Sequence, residues 1–554
     1  MILENIEIVG FRGLNRLSLA LENNNVLIGE NAWGKSSLLD ALTLLLSPQA
    51  TLYQFVLNDF HFPPGNLNQR TRHLRVTFTF RQEASYFYSA PRYRPLQEMW
   101  QRGPDGVQRI VYQVSGEIDD DRQVITHRQF LDAHQRVIAT QDDAAIRTLM
   151  ALHPVLRLRD ARFTRRLRHE TPSAHTEPDL NALAGQIDNL THDLVSRPEH
   201  LSDSALREGL KTMQQLLEHY FSVQQPEESV QPGRVPHSAR ESHQGWRHLN
   251  HINQLIAETD SRSRRLIMLR IFTLLAQARG AWQLDAGARP LLLVEDPETR
   301  LHPIMLSVAW GLLALLPLQK ITTTNSSELL SQVPMEQVCR LVREPSRVAA
   351  WRLGPGGMNA EDSRRIAFHI RFSRPSSLFA RCWLLVEGET EVWVMNELAR
   401  QCGHHFEAEG VRVIEFAQSG LRPLLKFAQR MGIEWHVLTD GDEAGKKYAA
   451  TARNMCSEHP QAERDRLTML PALDMEHFLY KQGFSAVYHR VAHLPANVPM
   501  NLRRIIAKAI QRSSKPELAI AVAMDAAERG TESIPPILRQ MFARVLWLAR
   551  GQAD

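Results

Sequence analysis

The sequence predicts an α/β protein in two parts: a P-loop head interrupted by a helical insert, then a second α/β module built on a parallel sheet. Three observations carry this. "GENAWGKS" at residues 29–36 lies between a strand-like apolar run and the helical pattern "SSLLDALTLLL". "RPLLLVEDPETRLHP" at residues 289–303 ends an apolar run in two acids. From Cys382 onward three strand-turn-helix units follow one another: "CWLLVEGETEVWVMNELARQC", "GVRVIEFAQSGLRPLLKFAQRM" and "WHVLTDGDEAGKKYAATA". Such alternation is what a parallel sheet needs, because each strand must cross over before the next can run the same way.

The chain of 554 residues exceeds one ordinary core. Hydrophobic residues at 43% and charged residues at 23% describe a globular protein, and a net charge of +4 is too small to establish nucleic-acid binding by itself. The four cysteines, Cys339, Cys382, Cys402 and Cys456, form no CxxC pair, which argues against a zinc ribbon and for a reducing compartment. The N-terminus lacks the order of a signal peptide, so a cytoplasmic protein is expected. The longest apolar run, "IMLSVAWGLLALLPL" from Ile304, contains a proline and is shorter than the ~20 residues that span a bilayer; it reads as a buried helix, with no membrane partner.

In the first motif Gly29 and Gly34 permit a tight path that points backbone N–H groups at phosphate oxygens. Lys35 is expected to reach the β and γ phosphates, the Ser36 hydroxyl to ligate Mg²⁺, and the helix start to add its dipole. Gly29, Glu30, Asn31, Gly34, Lys35, Ser36 and Ser37 are the candidate nucleotide set, completed by the acids of the second motif. There Glu295 is expected to hold the Mg²⁺ water shell and Asp296 to orient an attacking water. Between the motifs, residues 172–250 are polar with helical stretches. Just upstream, "LRLRDARFTRRLRH" carries Arg157, Arg159, Arg162, Arg165, Arg166 and Arg168, either a solvated basic face or a DNA-phosphate contact.

In the second module Glu387 closes one strand, Glu391 follows at a spacing that returns it to the same side, and Asp440 and Asp442 close another. Ligand sites of parallel sheets lie at these carboxyl ends. Carboxylates converging there repel unless a cation compensates them, and hard oxygen donors suit Mg²⁺ or Mn²⁺.

With these residues in view, "FRGLN", "EDPETRLHP" and "KITTTNSSELL" resemble the ABC/SMC/RecF-like ATPases, particularly the OLD (overcoming lysogenization defect) family. The resemblance implies ATP held between two heads, an insert that serves dimerisation, and hence a homodimer or higher oligomer. The family's pattern has a second glutamate where this chain has Asp296 and a histidine where it has Asn325. Asn325 can donate to a phosphate but cannot titrate near neutral pH, so slow hydrolysis or a nucleotide switch is expected. "TDSRSRRLIMLRIFTLL", with Ser261 and Ser263, also departs from the usual signature loop.

"VEGETE" followed by "DGDEAG" resembles a Toprim domain, with Gly388 and Gly445 at its glycines. The resemblance adds Glu476 in "LDMEHFLY" as a metal ligand and Lys515 in "SSKPELA" as a catalytic lysine. It implies an ABC/SMC-like head at residues 1–375 and a Toprim nuclease domain at residues 376–554. Two metals ~4 Å apart, held by Glu387, Glu391, Asp440, Asp442 and Glu476, then activate water against a phosphodiester, with Lys515 offsetting charge. Arg504, Lys508, Arg512 and Lys515 recur at helical spacing and read as one basic helix side, either a surface face or a track for DNA. The expected protein is an ATP-regulated, Mg²⁺- or Mn²⁺-dependent DNA endonuclease or nickase of phage defence or DNA repair. A non-catalytic DNA-binding ATPase switch and a Toprim ribonuclease stay open as alternatives.

Overall fold

The computed structural model describes residues 1–47, 51–62, 70–83, 91–140, 142–158, 204, 288–300, 302–315, 318–354, 356–456 and 460–551. The insert expected at residues 172–250 (residue 204 apart), Ser261, Ser263 and all the clustered arginines except Arg157 lie outside them. The chain forms two compact units, Met1–Leu329 with Ser346–Ala350, and Leu330–Pro345 with Trp351–Asp554.

In the first unit the alternating segments make β1 (Ile2–Phe11) and β2 (Leu14–Ala20), an antiparallel pair in which Ile6 and Ile8 are buried while Glu7 between them is exposed. β3 (Asn24–Ile28) leads into the P-loop. The strands β4 (His73–Arg81), β5 (Gln101–Arg102), β6 (Gln108–Ile118), β7 (Val124–Leu131) and β8 (Val137–Thr140) extend the antiparallel side, in the order β8-β7-β6-β4-β1-β2 with β5 on β6. β9 (Val155–Leu158), β10 (Leu291–Glu295) and β11 (Gln319–Thr323) continue from β3 in the order β3-β11-β10-β9, all parallel. Leu291, Leu292, Leu293 and Val294 are all buried, as a strand covered on both faces requires. Thr323 of β11 is in register with Glu295 on one side and Leu27 on the other, so the three strands end at one level. β11, the switch strand that leads to Asn325, therefore lies between the P-loop strand and the acid-bearing strand.

The second unit includes β12 (Val338–Arg343), whereas β13 (Val348–Trp351) lies in the first unit up to Ala350, with Val348 in register with Leu17 of β2. The second unit's sheet is four-stranded and parallel: β14 (Cys382–Val386), β15 (Val411–Glu415), β16 (Glu434–Thr439) and β17 (Leu467–Met469), in the order β15-β14-β16-β17. The helices Glu389–Gln401, Leu421–Arg430 and Glu443–Met455 are the crossovers. Helices Leu502–Arg512, Lys515–Arg529 and Pro536–Arg550 pack into the same core through Ile505, Ile506, Val522 and Phe542.

Two expectations are corrected. The apolar helix Pro303–Leu315 buries Leu306, Ala309 and Leu313, spaced along one side, but Ile304 is 66% exposed, so the helix is buried on one face only. Arg504, Lys508 and Arg512 share a helix, but Lys515 does not belong to it. The first helix ends at Arg512, Ser514 caps a new one by accepting from the Glu517 N–H at 3.2 Å, and Lys515 opens that second helix. Pro516 fits the break, since it has no N–H to bond the Arg512 carbonyl and its fixed φ suits the first turn of a new helix. No helix among the described residues is long and apolar enough to cross a membrane.

Arg340, on β12 and 2% exposed, donates to the carbonyls of Met431 (3.2 Å), Ala380 (2.7 Å) and Gly432, tying its strand to the loops that flank the parallel sheet. Arg340→Met orphans three carbonyls. It should lower the urea midpoint of the second unit's unfolding by the equivalent of about 3 kcal/mol; an unchanged midpoint contradicts this role.

Candidate functional site

At the carboxyl edge of the first unit's parallel strands, Gly34 holds φ 92°, a left-handed conformation that favours glycine. The loop makes a short turn at Asn31–Trp33, with Glu30 extended before it, and enters the helix Lys35–Leu45 with Ser36 exposed at its start. The Lys35 ammonium donates to the Gly29 carbonyl and to Asn325 Oδ1, both at 2.6 Å. Burial lowers its pKa, against the pull of Asp296 and Glu298. Asn325 also donates through Nδ2 to Asn31 Oδ1 at 3.2 Å. Ser37 is turned away to the β1–β2 turn, where its Oγ accepts from the Gly13 N–H at 3.2 Å.

Asp296 sits at φ 40°, fixed by its N–H to the Thr323 carbonyl (3.1 Å) and by the Thr323 hydroxyl donating to its Oδ1 (3.0 Å). Glu298, unforeseen in the sequence, accepts through its carboxylate from the Asn325 N–H at 2.6 Å and the Thr324 hydroxyl at 2.9 Å. Nothing local marks it; only the β10–β11 register brings it to the switch strand. Arg157 departs from both of its sequence readings. Its side chain is 9% exposed and ion-paired to Glu295 at 2.9 Å and Asp40 at 2.6 Å, so it is neither a solvated face nor a phosphate contact.

The second edge gathers carboxylates. Glu387 follows β14, Asp440 follows β16, Glu391 lies in the first turn of Glu389–Gln401, and Asp442 caps Glu443–Met455 by accepting from the Gly445 N–H at 2.7 Å. A Cβ on Gly445 would stand 2.0 Å from the Asp440 carbonyl oxygen, so the tight turn that presents both aspartates admits only glycine there. A Cβ on Gly388 would stand 2.6 Å from Glu391 Oε2, which shows how closely that carboxylate folds over the loop after Glu387.

Burial, then the charges of Glu387, Glu391, Asp474 and Glu476, push the Asp440 carboxyl up from 3.8 to about 8. Burial, then Asp442 and Glu391, raise Glu387, and burial is also the largest cause of the rise at Glu391. Glu387 Oε2 is buried without a hydrogen-bond partner. Lys515 reaches Glu476 at 2.9 Å; burial lowers its pKa, but Glu476, Glu391 and Asp474 together leave it raised. Asp474, unforeseen in the sequence, caps the helix Met475–Leu479 through the His477 N–H (2.8 Å) and contacts His477 Nδ1 (2.7 Å). Its one signal was the "LDMEH" spacing, an acid two residues before Glu476. Crowded carboxylates with an orphaned oxygen fit a hard divalent cation, although no three His, Cys, Asp or Glu among the described residues already stand at ligating positions.

A P-loop edge with its switch strand between loop and acids, followed by a parallel α/β domain edged with carboxylates, defines an ABC/SMC-like head joined to a Toprim domain. Residues 1–377 match the family described as "Protein of unknown function (DUF2813)", and the chain belongs to that family. Residues 378–442 match the "Overcoming lysogenization defect protein-like, TOPRIM domain". The chain is 62% identical to "Uncharacterized protein YbjD" of Escherichia coli (strain K12), over 100% of both chains. It is similar to the C-terminal region of the Burkholderia pseudomallei OLD protein, at 19% identity over 32% of this chain and 100% of that one, with a TM-score of 0.27. For the SMC head domain from Thermotoga maritima the values are 11%, 64%, 100% and 0.30.

A carboxyl whose folded pKa is raised binds its proton more tightly in the folded state, so its contribution to stability is full below the unfolded value and is lost as pH rises through about 8. In metal-free buffer the second unit's melting temperature should therefore fall between about pH 5 and about pH 9, and Asp440→Asn should flatten that fall. An identical fall in the variant contradicts the charge crowding at Asp440.

Proposed function

We propose that this protein is an ATP-binding, divalent-metal-dependent DNA endonuclease or nickase, with a nucleotide head at residues 1–375 and a Toprim nuclease domain at residues 376–554. The observation that carries the reading is the convergence of Glu387, Glu391, Asp440 and Glu476, whose charges add to burial in pushing Asp440 to about 8. Such crowding is costly to a fold and is the arrangement a cation site needs.

Mg²⁺ or Mn²⁺ held by Glu387, Glu391, Asp440, Asp442 and Glu476, two ions in all, supplies water activation and leaving-oxygen stabilisation when bound. Lys515, placed by its contact with Glu476, offsets charge on the attacked phosphate. Arg504 and Arg512 are exposed on the helix Leu502–Arg512 and track backbone phosphates. In the head, Lys35, now on Asn325, would bind the phosphates of ATP, and Ser36 would hold the Mg²⁺ that accompanies them. Asp296, locked to Thr323, and the non-titrating Asn325 make hydrolysis slow, and the nucleotide acts on assembly of a homodimer or higher oligomer. The protein then serves phage defence or DNA repair.

A second reading, a nucleotide-switched DNA-binding ATPase that does not cut, is favoured by one observation: no three acids among the described residues are already arranged around a single point. Plasmid cleavage with Mg²⁺, Mn²⁺ or Ca²⁺, with and without ATP, separates the two. Asp440→Ala should reduce cutting by about 100-fold or more, and Lys35→Ala should remove nucleotide binding together with any effect of ATP. Full activity in Asp440→Ala sinks the metal-site reading, and DNA binding without cutting by the wild type selects the switch.

A further inference from the structure

The first acid of the nucleotide edge is already neutralised by the protein. Arg157 Nε donates to Glu295 Oε2 at 3.0 Å, and Nη2 lies 2.9 Å from the same oxygen. The third arm, Nη1, donates to Asp40 Oδ1 at 2.6 Å. Asp40 lies on the P-loop helix, five residues beyond Lys35, and its other oxygen takes Arg12 Nη1 at 2.5 Å. Arg12 in turn donates through Nε to Asp59 Oδ1 at 2.9 Å. The charges alternate along the chain Glu295, Arg157, Asp40, Arg12, Asp59, with each arginine between two acids.

We propose that Arg157 is the resident counter-ion of Glu295, a positioning residue that a nucleotide-bound divalent cation must displace, so that loading of the head is an exchange of one cation for another. This rests on the nucleotide reading of that edge. A guanidinium does not give up its proton in a protein, so the competition cannot be relieved by titration; only movement of Glu295 or of the guanidinium relieves it. The second anchor on Asp40 makes the exchange feasible, because Arg157 keeps a carboxylate partner when Glu295 turns to the incoming ion. A lysine could not hold both acids through a planar fork. The pair is 9% and 15% exposed at its side chains, so it is weakly screened and its removal is felt at the site.

The test is equilibrium binding of a fluorescent ATP analogue to the full chain as Mg²⁺ is varied, with melting temperature recorded in parallel. In Arg157→Met the Mg²⁺ concentration giving half-maximal nucleotide binding should fall, by roughly 3- to 10-fold. Arg157→Lys, which keeps the charge and loses the fork, should return most of the way to the wild-type value, and Arg157→Gln, which loses the charge but can still hydrogen-bond, carries the comparison if the methionine variant does not fold. An unchanged Mg²⁺ requirement, or weaker binding that merely follows a lower melting temperature, overturns the proposal and assigns Arg157 a structural role. A wild type that binds no nucleotide at any Mg²⁺ concentration overturns the nucleotide reading itself, and this inference with it.

Discussion

Parallel strands finish on the same edge of a sheet, and side chains that finish them are forced into one another's company. Both units of this protein place acids there, and most of the local structure answers the resulting repulsion. In the first unit the answer comes from within: Glu295 has Arg157, Asp296 has Thr323, Glu298 has the switch-strand amide and hydroxyl, and Lys35 lies against Gly29 and Asn325. In the second unit Glu476 has Lys515, while burial first, and neighbouring acids after it, raise the pKa values of Glu387, Glu391 and Asp440. The first edge is a closed set of contacts that a ligand must open. The second is a charge imbalance that a cation can relieve.

The backbone is adapted to hold these groups. Asp296 keeps a left-handed conformation that a non-glycine residue adopts at a cost, offset by two contacts to Thr323. Asp442 is both a member of the acidic edge and the cap of the helix behind it. Gly445 accepts the close approach of the Asp440 carbonyl, so the turn and the helix start form one rigid piece. Each device places a carboxylate through main-chain geometry, which a substitution of the charged atoms alone would leave in place.

The P-loop, the acid-bearing strand and the paired aspartates were legible because each is a short run whose residues act through neighbours in sequence. The parallel order of the second sheet was legible from repeated strand and helix patterns. What escaped depended on register or on contacts between distant segments. Arg157 looked like one arginine among six, and only the pairing of β9 with β10 brings it to Glu295, 138 residues away. Glu298 needed the register of β11, and Asp474 needed the fold of the loop after β17. The basic spacing from Arg504 to Lys515 suggested one helix, whereas Pro516 suits the start of a new one, a local signal that periodicity overrode. The apolar helix Pro303–Leu315 has no polar face in its sequence, so pattern alone could not tell which side stays exposed.

The central claim is that carboxylate crowding at Asp440 is the cost of a divalent-cation site. It is tested most directly by Mn²⁺ binding to nucleotide-free protein, followed by electron paramagnetic resonance across the pH range through about 8, in wild type and Asp440→Asn. Because the cation must replace the proton that Asp440 retains, the account predicts that wild-type affinity rises with pH up to about 8 and that Asp440→Asn weakens binding and removes most of that dependence. Equal affinity in the two proteins, or a wild-type affinity indifferent to pH, contradicts it.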